Sequence, residues 1–118
     1  MEPSADITVR RRAALEERHA DLRRELQEHG ADPDSGGLTF DDDAGFADRS
    51  HSTEERSRLI ALVGNLRSEL REVERALEKL GAGGYGICER CGNAIGEDRL
   101  EAIPWATLCI DCKRKAAP

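Results

Sequence analysis

Seven apolar residues, Leu59, Val63, Leu66, Leu70, Val73, Leu77 and Leu80, recur in alternating steps of four and three. That spacing returns to one side of an α-helix every two turns, so the segment reads as a helix with a continuous apolar stripe. Ser52 followed by Glu55 supplies a capping box at its start, and the glycines of "GAGGYG" stop it after Leu80. The resulting helix over 52–80 would be roughly 43 Å long at about 1.5 Å per residue. One stripe needs one mate. Leu15, Leu22 and Leu26, with His19 and His29 at the remaining heptad positions and Gly30 as a stop, predict that mate over 7–29. His19 is read as a polar seam residue that sets register. Because residues 30–51 interrupt the two stripes, a helix folding back in one chain is simpler than a parallel dimer. A monomeric, antiparallel coiled-coil hairpin over 1–80 is expected.

Composition supports an extended helical chain over a compact one. Only 3% of the 118 residues are aromatic while 36% are charged, which leaves few large side chains for a globular core. The net charge is -6, and five of those charges come from residues 30–51, where six acids face Arg49 alone. The string "FDDDAGFADRS" (Phe40 to Ser50) lies in this predicted tip loop. Loops longer than about 12–15 residues are usually functional or disordered. Pro33, Ser35, Gly36 and Gly37 suit a solvated tip, while the helices suit an acidic segment held out toward a partner, and both readings stay open here. A calcium loop does not fit, because Gly45, Phe46 and Ser52 stand at EF-hand positions that need other residues. No basic face argues for direct, sequence-specific DNA binding. Neither a signal peptide nor a membrane span is read, and a cytoplasmic protein is expected.

All four cysteines fall in the last 31 residues. Cys88 and Cys91 form one CxxC pair, Cys109 and Cys112 the other. Two such turns complete a tetrahedral thiolate shell suited to one Zn²⁺, and a shell of four protein sulfurs leaves no position for substrate, so the zinc is structural. A zinc deaminase would need H-x-E with P-C-x-x-C, and a thioredoxin-like pair would need a βαβ setting; neither is present. Arg90, Lys113 and Arg114 are expected to offset the negative charge of the centre. Trp105, Leu108, Ile87, Ile95 and Leu100 are expected to form a small core around it. The C-terminal finger would then occupy 81–118.

The segment "YGICERCGNAIGEDRLEAIPWATLCIDCK" (85–113) closely resembles the zinc-finger signature of the DksA/TraR family, with "CG" after the first pair, "RLEA" before a proline and "CIDCK" at the close. That resemblance implies binding to bacterial RNA polymerase, with the hairpin inserted through the secondary channel and its tip near the active centre. The family tip motif, Asp-x-x-Asp-x-Ala, corresponds here to "GFADRS". Asp48 matches the second aspartate, Gly45 stands in place of the first, and Ser50 replaces the alanine. Asp43 and Asp42 are the neighbouring carboxylates that could supply the missing one. The alarmone ppGpp often acts with family members. Ile103 stands where responsive relatives carry arginine, Lys113 is retained, and the sequence ends six residues past Cys112, short of the C-terminal helix of longer members.

The function expected from this reading is transcription regulation through RNA polymerase, without enzymatic activity. Two alternatives are a zinc-finger coiled-coil adaptor that binds no polymerase, and a Gre-like stimulator of transcript cleavage. No nucleophile–base pair, phosphate loop or open metal site points to a self-contained enzyme.

Overall fold

The computed structural model describes residues 5–34 and 52–116. Four helices account for most of them: α1 (Ala5–Glu28), α2 (Thr53–Ala82), α3 (Glu97–Ala102) and α4 (Ile110–Ala116). Among the described residues there is no strand, only an isolated antiparallel bridge between Ile87 and Ala94. Among the described residues no helix is long and apolar enough to cross a membrane. Phe40–Ser50, with Asp42, Asp43 and Asp48, lies outside the described residues.

Two compact units are distinguished. One joins the residues up to Arg18 with those from Arg71 onward, and the other is His19–Leu70. Early α1 therefore shares a unit with late α2, and late α1 with early α2, which is the pairing order of an antiparallel helical hairpin. The fold is mainly α, with a four-cysteine finger following α2.

The cap of each long helix follows from local chemistry. Ser52 Oγ accepts the Glu55 backbone N–H at 3.1 Å, so the N-terminal half of the expected capping box holds α2 in place. At the end of α1, Gly30 takes φ 80°, Ala31 N–H donates to Leu26 O at 2.8 Å and Gly30 N–H to Gln27 O at 3.0 Å. This is a Schellman cap, and its hydrophobic partner is Ala31, which is buried with Leu26. The glycine run ends α2 two residues later than expected, at Ala82, with Gly83 at φ 94°.

In the unit His19–Leu70, Leu22 and Leu26 from α1 and Val63, Leu66 and Leu70 from α2 are buried. The apolar spacing predicted these positions. Beyond Val73 the buried stripe departs from the heptad: Ala76 is buried, while Leu77 and Leu80 are only half-buried. An α-helix turns every 3.6 residues, so a strict 3.5-residue stripe drifts around it.

In the other unit the surprise is on α1. Arg11, four residues before the fully buried Leu15, continues the apolar stripe and is itself buried, with 7% of its side chain exposed. Its guanidinium donates through Nη1 to Glu101 Oε2 at 2.6 Å and through Nη2 to Glu97 Oε2 at 3.0 Å. Glu97 and Glu101 are one turn apart on α3, so one planar fork reaches both. Burial disfavours the Arg11 charge, but these two carboxylates outweigh it and hold its pKa above the usual arginine value. Glu101 is in turn held below the ordinary carboxylate range, through the hydrogen bond from Arg11 and the charges of Arg11 and Arg10.

Gly64 lies inside α2 with nothing within 4 Å of where a Cβ would be. Gly64→Ala is expected to stabilise the chain by about 0.5–1 kcal/mol, and Leu22→Ala to cost about 2–5 kcal/mol, both measured by urea unfolding. A second expectation concerns acid. Since Glu101 is held low, its pairing contributes fully above its unfolded value near 4.5 and is lost as pH falls through the lower native value. Glu101→Gln should therefore melt below wild type at neutral pH, and the two melting curves should converge under acid. A gap that persists below the native carboxylate value would show that the pairing is not ionic.

Candidate metal centre

The finger begins where α2 stops. Gly86 takes φ 86°, and a Cβ there would come to 3.3 Å of Leu100 Cδ1, so glycine is needed for both the turn and the approach of α3. Ile95 N–H donates to Gly86 O and Cys88 N–H to Asn93 O, each at 2.8 Å. These bonds fold 86–95 back on itself and close the first knuckle. Gly92 follows the first pair at φ 79°, as the "CG" dipeptide suggested, and its N–H donates to Cys88 O at 3.0 Å. The second pair is presented differently. Cys109 lies just before α4 and Cys112 within it, so a helical turn brings the two sulfurs together, and Cys112 N–H points to Cys109 Sγ at 3.5 Å.

The four sulfurs all lie within 4.8 Å of one another, and Cys91 Sγ to Cys109 Sγ is 3.8 Å. A tetrahedral shell with Zn–S bonds of about 2.3 Å has sulfur–sulfur edges of about 3.8 Å, so the cluster is close to the size that one zinc ion requires. All four cysteines are free thiols.

The acidities of the thiols fit the same purpose. Burial raises Cys88, but backbone N–H groups of Cys109, Cys91 and Arg90 stabilise its thiolate and bring it down to about 6. Burial and hydrogen bonds with Cys109, Cys88 and Cys91 push Cys112 up to about 12. Four close thiols cannot all ionise unless a cation balances them, which is the chemistry of a donor set built for a metal. The finger carries one structural zinc, and the thiolates it takes supply no open position for catalysis.

The small core is narrower than expected. Cys88, Ile95, Leu100 and Cys112 are buried together, with Tyr85, Ala106, Leu108 and Cys109 packed against them. Ile95, Leu100 and Leu108 thus take the expected places, whereas Ile87 is 43% exposed. Neighbouring side chains on extended backbone face opposite ways, so turning Cys88 inward turns Ile87 out. Trp105 is half-buried, with the Arg18 guanidinium 5.3 Å from its ring centroid, a cation–π contact. Tyr85 Oη donates to Pro104 O at 2.8 Å, and Arg99 Nε donates to Leu108 O at 3.0 Å. Burial raises the Tyr85 phenol above its ordinary pKa.

Arg90, Lys113 and Arg114 have exposed side chains, and of the three Arg90 contributes to the centre through its backbone N–H. Arg75 and Lys79, two cations of α2 that the sequence analysis did not single out, bind Glu89 inside the first CxxC turn. Their spacing of four residues on α2 was the available signal; their partner lies beyond the helix and could not be read from it.

One zinc per chain is expected by metal analysis. Stripping it with a chelator at neutral pH should change the fluorescence of Trp105, the sole tryptophan. Far-UV helicity from the His19–Leu70 unit should largely remain. An unchanged Trp105 signal in verified metal-free protein would show that the finger holds without zinc.

A sequence model of the Prokaryotic dksA/traR C4-type zinc finger matches residues 83–116. An uncharacterized protein of Aquifex aeolicus (strain VF5) is 60% identical over 43 residues, covering 36% of this chain and 30% of that protein. The RNA polymerase-binding transcription factor DksA of Haemophilus influenzae is 43% identical over 70 residues, covering 59% of this chain and 48% of that one. The chain thus spans less than half the length of either curated relative. Among solved structures, transcription factor DksA2 from Pseudomonas aeruginosa is 31% identical, with 93% of this chain and 77% of that chain covered and a TM-score of 0.48. With the finger matched and the identity to the Haemophilus influenzae factor running over 70 residues, and so past the finger, the chain belongs to the DksA/TraR family.

Proposed function

We propose that this protein regulates transcription by binding bacterial RNA polymerase through the secondary channel, with the acidic segment at residues 40–50 approaching the active centre. The observation that carries this reading is the reach of the similarity. The match to the Haemophilus influenzae polymerase-binding factor runs over 70 residues, whereas the finger occupies 83–116, so more than half of the matched residues lie outside the finger. An adaptor that shared only a metal-binding module with that relative would not be similar over so much additional chain.

In this proposal the functional partition is a hairpin of residues 1–80 and a finger of 81–118. Zinc, bound by Cys88, Cys91, Cys109 and Cys112, fixes the finger. Asp48 is the leading acidic group of the tip, with Asp43 and Asp42 beside it. A carboxylate near catalytic Mg²⁺, nucleic acid and mobile polymerase elements changes local electrostatics without bond-making chemistry of its own. The protein acts as a monomer, in the cytoplasm with the polymerase. The reading does not require ppGpp, since Ile103 stands where responsive relatives carry arginine.

Labelled protein is expected to bind core RNA polymerase and to be displaced by a Gre factor, while a Cys88→Ser, Cys91→Ser variant should bind at least tenfold more weakly. Asp48→Ala should keep binding and lose most of the effect on promoter-complex lifetime. An absence of binding by zinc-loaded wild type would overturn the proposal in favour of an adaptor. Shortened RNA in backtracked complexes would instead establish cleavage stimulation.

A further inference from the structure

We infer that Glu89 is a positioning residue for the zinc centre, and that Arg75 and Lys79 of α2 hold it in place. Glu89 directly follows Cys88, inside the turn that carries both ligands of the first pair. Its Oε1 accepts Arg75 Nη2 at 3.1 Å and its Oε2 accepts Lys79 Nζ at 2.5 Å. The two cations are four residues apart, hence on one face of α2, and each takes a different oxygen. The backbone of Glu89 is tied as well. Its N–H donates at 2.9 Å to the carbonyl of Thr107, a buried residue two positions before Cys109. A single residue thus links the first cysteine turn to α2 and to the chain that delivers the second pair.

This placement is electrostatically counterintuitive. Zinc with four thiolates carries a net charge of -2. A carboxylate next to Cys88 adds negative charge beside a centre that already has an excess. On charge alone, that position would be better filled by almost any other residue. What the carboxylate supplies is geometry. It accepts two charge-assisted hydrogen bonds from one helix; Glu89 and Lys79 are partly sheltered, at 32% and 26% exposure, while Arg75 is half exposed at 51%. The two cations turn the local sum of the trio to +1, which removes the objection to the carboxylate. A CxxC turn fixed in this way need not be ordered when the metal is taken up, and it resists the opening through which the metal leaves.

Positioning and charge make opposite predictions for one substitution, which makes the inference testable. If Glu89 positions the turn, Glu89→Ala should release zinc faster. If only net charge matters, removing a carboxylate beside the dianionic centre should slow release. The experiment uses the full zinc-loaded chain, with a chromophoric chelator in excess at fixed pH. Glu89→Ala and Lys79→Ala are each expected to release zinc about tenfold faster than wild type, in the lower range for loss of a supporting partner. The double variant should be no worse than either single, because the two act as one unit.

A second readout separates positioning from a general loss of stability. With Co²⁺ in the site, the ligand-field bands report the shape of the sulfur shell, and Glu89→Ala should shift or broaden them while far-UV helicity stays as in wild type. Should Glu89→Ala not fold, Glu89→Gln serves in its place: it keeps the shape, but its single amide oxygen can accept from only one of Arg75 and Lys79, so release should again be faster than in wild type. Release that is slower than wild type, release that is unchanged, or additive effects in the double variant would each overturn the inference.

Discussion

Four thiols within 4.8 Å of one another set the terms for the rest of the finger. In a chain with one tryptophan, one tyrosine and two phenylalanines, the finger has little apolar area to bury, and two of the four residues in its buried cluster are themselves cysteines. The metal-binding side chains are therefore also the core. The spread of thiol acidity, with Cys88 near 6 and Cys112 near 12, expresses the conflict that a divalent cation resolves. A domain of this size obtains from one metal shell the cohesion that larger domains obtain from packing.

Once the finger depends on its metal, its attachment to the helices cannot rest on apolar packing alone. Ionic and cation–π links serve within the same unit, among them Arg11 with Glu97 and Glu101, Arg75 and Lys79 with Glu89, and Arg18 with Trp105. Each places its cation on a long helix and its partner in the finger. Such links are directional, so they fix orientation where a small greasy contact would allow sliding. Their carboxylates are partly exposed, which limits what each adds to stability. Arg11 differs because its own charge is buried, so losing its partners would strand a cation without water.

The sequence showed what repeats locally. Apolar spacing placed all four ends of α1 and α2 within two residues, the Ser52 and Gly30 caps followed from neighbouring chemistry, and CxxC spacing found the metal set. What it hid were relations between residues far apart. Arg11 and Glu101 are separated by 90 positions, and nothing near Arg11 distinguishes it from Arg10 or Arg12. On a heptad it reads as one more surface arginine, yet it occupies a stripe position and is buried. Glu89 was equally silent, as an acid within a metal knuckle gives no local hint that α2 grips it. Ile87 misled for the opposite reason: it is apolar and adjacent to a ligand, but inward-facing Cys88 leaves it no inward direction. The short helices α3 and α4 were missed because their stability comes from the finger's contacts and not from any periodic stripe.

These pairings also decide where the charge of the chain can act at a distance. Residues 81–118 carry equal numbers of acids and bases, and Glu89, Glu97 and Glu101 are each engaged by helix cations. Paired charges cancel over a few ångströms, and salt screens what remains beyond about 8–10 Å. The surplus of five negative charges in residues 30–51 has no comparable balance in its own sequence, with Arg49 the one base among six acids. Asp34 shows the alternative, since Arg23 grips both of its oxygens and holds its carboxyl below the usual range. The charge excess of the sequence therefore lies in residues 30–51, while residues 81–118 are neutral. Under the proposed function the acidic segment, and not the finger, would present the longer-ranged field.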